Sequence, residues 1–311
     1  MSATAQAVLA VILGIFGTIA LGLLFQWVDR VVTARIQWRK GPPIYQPLAD
    51  IIKLMGKETV VSEAASEKIF LYAPVLGFAG LCVASVILWA AAIGPGSPVG
   101  FDLIVAVYFL VFPSVALILG ASASGNPYAA VGLGREMKLI IGYELPLILA
   151  MVPPIVASGN SFRLAEIMNT RPEGALEIIS YVLAALCVLA VSQAKLGVVP
   201  FDQAEAETEL TGGVLLEYSG PPLALIRLVR GMLLFLLPMF IIIVFWGGVQ
   251  LVGWGWLTTP LKFVAIIVVI VLMRNTNPRL RIDQALAFFW FIVTPIAVLA
   301  SALSVYQHAV R

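Results

Sequence analysis

Apolar runs of membrane-spanning length recur from one end of the chain to the other, and no other feature restricts the fold as tightly. A bilayer core asks for roughly 20 apolar residues per helix. About eight runs meet that demand. They are Ala7–Val28, Ile69–Ile93, Phe101–Ser122, Met137–Ala157, Leu176–Gln193, Leu223–Gly247, Pro260–Met273 and Ala285–Tyr306. The seventh is short unless it begins near Leu251. Hydrophobic residues are 61% of the 311 and charged residues 12%. Average soluble domains carry about 25% charge, and a soluble core has no place for this much apolar surface. The composition excludes a water-soluble enzyme, a disordered chain and a nucleic-acid binder. It predicts an all-α polytopic membrane protein, a single integral membrane domain over residues 1–311. A net charge of +2 points to no partner. Cys82 and Cys187 sit in apolar runs without a CxxC, and His308 is alone, so no metal or cluster site is expected in this chain.

The first run has no basic residue before it and is too long for a cleaved signal peptide. Basic residues then sort by loop. Arg30, Arg35, Arg39, Lys40, Lys53, Lys57 and Lys68 follow the first run, Arg135 and Lys138 the third, Lys195 the fifth, and Arg274, Arg279 and Arg281 the seventh. The opposite side holds Arg163, Arg171, Lys262 and Arg311. The positive-inside rule therefore predicts an outside N-terminus, an even number of spans and cytoplasmic charged loops. Gly94–Gly100 and Gly247–Thr259 read as uncharged Gly/Pro/Trp-rich connections, with Trp254 and Trp256 suited to the interface.

The first charged loop reads RKGPPIYQPLADIIKLMGKE. Ile44, Leu48, Ile51, Ile52 and Met55 recur at helical spacing, with Gln46, Asp50, Lys53 and Lys57 elsewhere. A short amphipathic helix over about residues 44–56 is expected on the cytoplasmic membrane surface. Gly41-Pro42-Pro43 should stop any helix leaving the first span. Simple anchoring would account for such a helix as well as a specific function does.

Two groups of acids are out of place. Glu144 falls inside the fourth run, where a carboxylate costs about 2.5–3.5 kcal/mol on insertion scales. Pro146, Pro153 and Pro154 around it are positioned to kink or break the helix. The acidic loop of about residues 195–222 contains DQAEAETELTGGVLLE: Asp202, Glu205, Glu207, Glu209 and Glu217, with no Lys or Arg among them. As one helix it would place Asp202, Glu205 and Glu209 on a shared face and raise their pKa values by mutual repulsion. A solvated acidic loop is the plainer reading. Against it stand Arg227 and Arg230 at the start of the sixth run, which need counter-charges; Glu217 and the acids before it are the candidates.

Four stretches, RKGPPIYQPLADIIKLMGKE, GREMKLIIGYELPL, VVPFDQAEAETELTGGVLLEYSGPP and NPRLRIDQALAFFW, together resemble the membrane anchor subunit of the complex I subunit 1/H superfamily. They look most like the group 4 energy-converting membrane-bound [NiFe] hydrogenases and formate hydrogenlyases: only Pro43-Ile44-Tyr45 separate the GP and QP elements of the first loop, and the acidic loop continues into LLEYSG. The resemblance implies a non-catalytic subunit of an oxidoreductase complex in the cell membrane. It implies iron–sulfur clusters and a NiFe centre in partner subunits, none bound by this chain. The implied partners are hydrogenase-like large and small peripheral subunits, antiporter-like membrane subunits, the lipid bilayer and ferredoxin as donor. It assigns Glu144, Asp202, Glu205, Glu207, Glu209 and Glu217 to a path carrying charge changes towards the antiporter-like subunits; Arg227 and Arg230, read from their place in the sixth run, join that group as its cations. It assigns Arg39, Asp50, Lys53, Glu58, Arg279, Arg281 and Asp283 to the face that meets the peripheral arm. A quinone-type complex I subunit and a sulfane-sulfur-reducing relative remain open. So does an independent secondary transporter, since intramembrane acids and Pro-interrupted helices also suit a midplane substrate site.

Overall fold

The structure, a computed structural model, describes residues 3–93, 102–249 and 254–310. Among them no strand occurs beyond a single bridge between Asp102 and Arg163. Eight helices are long and apolar enough to cross a membrane: Thr4–Ile36, Glu67–Ile93, Leu103–Ala123, Pro127–Ala157, Ala175–Lys195, Gly220–Phe245, Gly255–Thr276 and Ile282–Ala309, here spans one to eight. The polytopic all-α expectation holds, with about the expected number of spans.

Span six is the hub. Of its most apolar window 83% is buried, against 22% in spans one and eight, so it is wrapped by protein while those two are open along much of their length. Spans one, two, five and seven and the short surface helix all pack on it. Lipid tails are as apolar as Leu, so such contacts rest on close packing rather than on escape from water. At the crossing of spans one and six, a Cβ on Gly22 would come within 2.8 Å of the Gly231 carbonyl, so glycine is what lets the two backbones touch. A neutral polar knot ties span one to span two. A π-turn at Leu13–Gly17 loosens the helix. There Ser85 Oγ donates to the Gly14 carbonyl (2.5 Å) and lies 2.5 Å from Thr18 Oγ1, which also accepts from Trp89 Nε1 (2.9 Å).

Several boundaries move from their sequence-based positions. Span four begins at Pro127, ten residues before the apolar run, because its first turns extend past the apolar core; Asn126 caps it by accepting from the Tyr128 amide (2.8 Å). Arg135 and Lys138 therefore lie in the helix, not in a loop. The helix absorbs Pro146 and breaks at Met151, where the Pro153 ring excludes the carbonyl four residues earlier. Lys195, expected to open a cytoplasmic loop, is the buried last residue of span five. Span seven starts at Gly255, so Trp254–Thr259 is largely helix rather than connection. Span one ends at Ile36, before Gly41-Pro42-Pro43 is reached. Phe101, Leu251 and the Gly94–Gly100 connection lie outside the described residues.

The expected surface helix forms at Gln46–Met55. Leu54 and Pro47 face inward, while Ile44, Leu48, Ile52 and Met55 stay exposed as an unbroken apolar face.

Candidate functional site

The acidic segment does not form the single helix that would have stacked its carboxylates. It folds as a 3-10 turn, Gln203–Glu205, a corner at Ala206, and one α-turn, Glu207–Leu210, closed by Thr211 at φ 53°. Gly212 and Gly213 follow with positive φ, 110° and 50°. A side chain on Gly213 would collide with the Ala204 carbonyl, so this tight return needs glycine.

The loop is pinned where family motifs meet. Gln193, fully buried, donates to the Val199 carbonyl (2.8 Å). The Leu280 amide donates to the Pro200 carbonyl (3.1 Å). Phe201 packs between Phe288 and Phe289, with ring centroids 5.7 and 4.9 Å away. Further on, Tyr218 stacks on Phe70 at 4.2 Å and donates to its carbonyl (3.1 Å); burial pushes the Tyr218 hydroxyl's pKa up. The four motif stretches, far apart in sequence, thus converge at one end of the bundle.

Held this way, three of the five acids meet a cation from another element rather than a fellow acid. Asp202 pairs with Arg279 (2.5 Å), Glu205 with Arg230, and Glu209 with Arg135 (2.5 Å). Glu205, not Glu217, is the counter-charge of Arg230. Glu217 accepts from Asn126 Nδ2 (2.5 Å) and so supports the cap of span four. Arg227 is exposed and turns towards Asp50 on the other flank of span six. The side chain of Glu207 lies outside the described residues.

Deeper in the bundle, Glu144 is bound by Lys195 Nζ at 2.7 Å, with side chains 21% and 3% exposed. Lys195 also lies 5.0 Å from the Tyr143 ring centroid, a cation–π contact. A narrow internal crevice of about 40 Å³ joins the two levels. Ser114, Glu136, Lys195, Asp202, Glu205 and Arg230 all line it. A water needs about 10–15 Å³ on this measure, so there is room for two or three.

Sequence reasoning missed Glu136 and Lys195. Glu136 is 7% exposed, deep in span four, with Ser114 in hydrogen-bonding reach. Seven residues before the buried Tyr143, it shares that residue's helical face, which is a signal the sequence did carry. Lys195 was hidden because the apolar run stops at Gln193. Gln203 was missed too: it is buried, and neither of its amide atoms has a partner.

The opposite flank of the charged end carries the first-loop residues expected to face an arm. Arg39, Lys53 and Glu58 are exposed. Asp50 accepts from Arg30 (2.7 Å) and Gln46 (2.9 Å). Burial alone would raise its pKa, but those hydrogen bonds and the charges of Arg30 and Arg227 outweigh it and hold the carboxyl below the usual carboxylate value. Arg279, Arg281 and Asp283 rim a separate polar cleft of about 220 Å³ that also reaches Arg135, Gln203 and Glu209.

A family model described as NADH dehydrogenase matches residues 7–305. The chain belongs to that family. It is 31% identical over 288 residues to the H subunit of the NADH-quinone oxidoreductase of Geobacillus thermodenitrificans (strain NG80-2), covering 89% of this chain and 86% of that one. It is 34% identical over 313 residues to the second H subunit of the NADH-quinone oxidoreductase of Syntrophobacter fumaroxidans (strain DSM 10017 / MPOB), covering 94% and 92%. A chain in the structure of the membrane-bound sulfane sulfur reductase, an archaeal respiratory membrane complex, superimposes with a TM-score of 0.83 at 29% identity, over 98% of this chain and all of the other. Membership in the complex I subunit 1/H superfamily, read first from four motifs, is thereby established, and the protein is a membrane subunit of a redox complex.

Proposed function

We propose that this subunit anchors a peripheral hydrogenase-like arm and couples electron transfer in that arm to H⁺ or Na⁺ movement through its buried carboxylates. One observation carries the reading: paired charges descend from the solvent-facing Asp202–Arg279 pair, past Glu205–Arg230 and Glu136, to Lys195–Glu144 inside the bundle. Ion pairs in a low-dielectric interior are strongly interdependent. A change of charge or hydration at the loop alters the field at Glu205 and Glu136, and the next pair answers by shifting a proton or a side chain. In this reading the charged loops face the cytoplasm with the N-terminus outside. The partners hold the iron–sulfur clusters and the NiFe centre, ferredoxin donates, and antiporter-like subunits complete the ion path.

The test is Glu144→Gln in an assembled complex, with redox turnover and ion uptake measured in inverted vesicles. Loss of ion uptake supports the reading; unchanged uptake together with unchanged turnover rejects it. A second reading, a sulfane-sulfur-reducing arm on the same membrane subunit, is favoured by the match to that reductase. Supplying reduced ferredoxin with protons, a sulfane-sulfur compound or a quinone as the sole acceptor separates it from the hydrogenase and quinone readings.

A further inference from the structure

At the end of the bundle opposite the acidic loop, spans five, six and seven part to leave an apolar groove of about 430 Å³. Val182, Leu186, Leu189, Phe245, Ile266 and Val269 are among the residues that form its walls. From Ile178 to Leu189 the wall runs about 16 Å along the helix axis. That is roughly the 15 Å depth of hydrocarbon in one leaflet.

The mouth of the groove is not apolar. Pro172 and Trp246 close that end. Arg171, next to Pro172, is exposed. Lys262 donates to the Trp246 carbonyl (2.7 Å), and an ammonium has two further donors to offer. The two cations are near enough for each charge to act on the other, and among the described residues neither has an acidic partner within ion-pair distance. Of the acids on this side of the groove, Glu177 is buried and accepts from the Glu173 amide (3.0 Å), while Glu173 is exposed two residues after Arg171. One turn inside, the ring of Tyr181 lines the groove, while its hydroxyl is shut off from the groove and has no partner among the described residues.

We propose that this groove binds one anionic phospholipid, its phosphate held between Arg171 and Lys262 and one acyl chain lying along spans five and seven. The order of chemistry along the groove is that of a lipid: two cations at the mouth, then a leaflet's depth of hydrocarbon. A partner's transmembrane helix would fill the walls but would leave both cations uncompensated.

The test uses the intact complex, extracted in mild detergent and exchanged into vesicles of phosphatidylcholine with or without phosphatidylglycerol, followed by native mass spectrometry of retained lipid. The wild type is expected to keep one more phosphatidylglycerol than R171Q/K262Q, with affinity lower in the double variant by on the order of tenfold or more. Leu186→Trp, which fills the groove and leaves both cations in place, is expected to lose the same lipid. It decides the matter alone if the double variant fails to assemble. Equal phosphatidylglycerol retention in wild type and variants, equal retention of phosphatidylcholine, or a protein helix seated in the groove would overturn the proposal.

Discussion

The surface helix Gln46–Met55 and the acidic segment Asp202–Glu217 occupy the same end of the bundle and both carry charged residues, yet they solve opposite problems. The surface helix keeps an apolar face outward, with Leu48, Ile52 and Met55 exposed, and settles its one partly sheltered acid, Asp50, with neighbours Arg30 and Gln46. The acidic segment turns inward and distributes its carboxylates to Arg135, Arg230 and Arg279, each from a different helix or loop. The first is a local structure carried by its own periodicity. The second exists only because other elements bring it cations.

That contrast predicts a ranking of damage. The largest effect should come where a charge is most enclosed. Lys195→Met strands Glu144, and breaking a buried pair costs about 3–5 kcal/mol. The complex should lose thermal stability or fail to assemble, and adding Glu144→Gln should restore most of the loss. If the double variant is as unstable as Lys195→Met, the pair is not what holds that level together.

Next comes the loop backbone. Gly213→Ala places a Cβ against the Ala204 carbonyl at a positive φ, a strain of about 1–3 kcal/mol. Protease sensitivity confined to residues 203–216 is the expected readout; an unaltered digestion pattern would mean the return tolerates side chains. Arg279→Ala removes a pair that is 37% exposed on the arginine side but 13% on the Asp202 side, so its effect on folding should be about 1–3 kcal/mol, the cost of leaving a mostly buried acceptor unsatisfied. Its effect should also be read in arm retention during a salt wash, which a purely structural role would leave unchanged.

The smallest effect belongs to the surface helix. Asp50→Asn should cost about 0.2–1 kcal/mol near neutral pH, because the pair it breaks is exposed to solvent. The carboxyl's pKa is depressed in the fold, so its contribution is complete above the unfolded value and disappears as pH falls through the folded one. Wild type and variant should therefore converge in stability only in acid. A gap between them that persists unchanged below the carboxylate range would point to a role beyond the Arg30 contact.

The same contrast explains what was legible beforehand. The spans and the surface helix were visible because an apolar stretch or an i, i+4 stripe is complete within its own segment. Glu144 and Arg230 were visible as charges in apolar company. The acids before Glu217 already included Arg230's partner, Glu205, but the partner of Glu144 was not visible. Lys195 stood just beyond the end of a run and looked like loop, and Glu136 sat in a stretch that hydropathy placed before the membrane. The expectation of mutually repelling acids on one helix failed at Ala206, where a corner turns the chain and hands each carboxylate to its own arginine.

Hydropathy and periodicity by themselves determined that this chain crosses a membrane about eight times, carries one amphipathic helix at its charged end, and commits acids to places where acids are costly, since each of these follows from transfer energies that residues carry with them. Which cation answers which acid, how the four motifs meet, and where a crevice links Asp202 to Lys195 were decided only in the tertiary structure. Coulomb energy depends on distance and surrounding dielectric, and for residues 77 positions apart, as in Asp202 and Arg279, packing alone sets both.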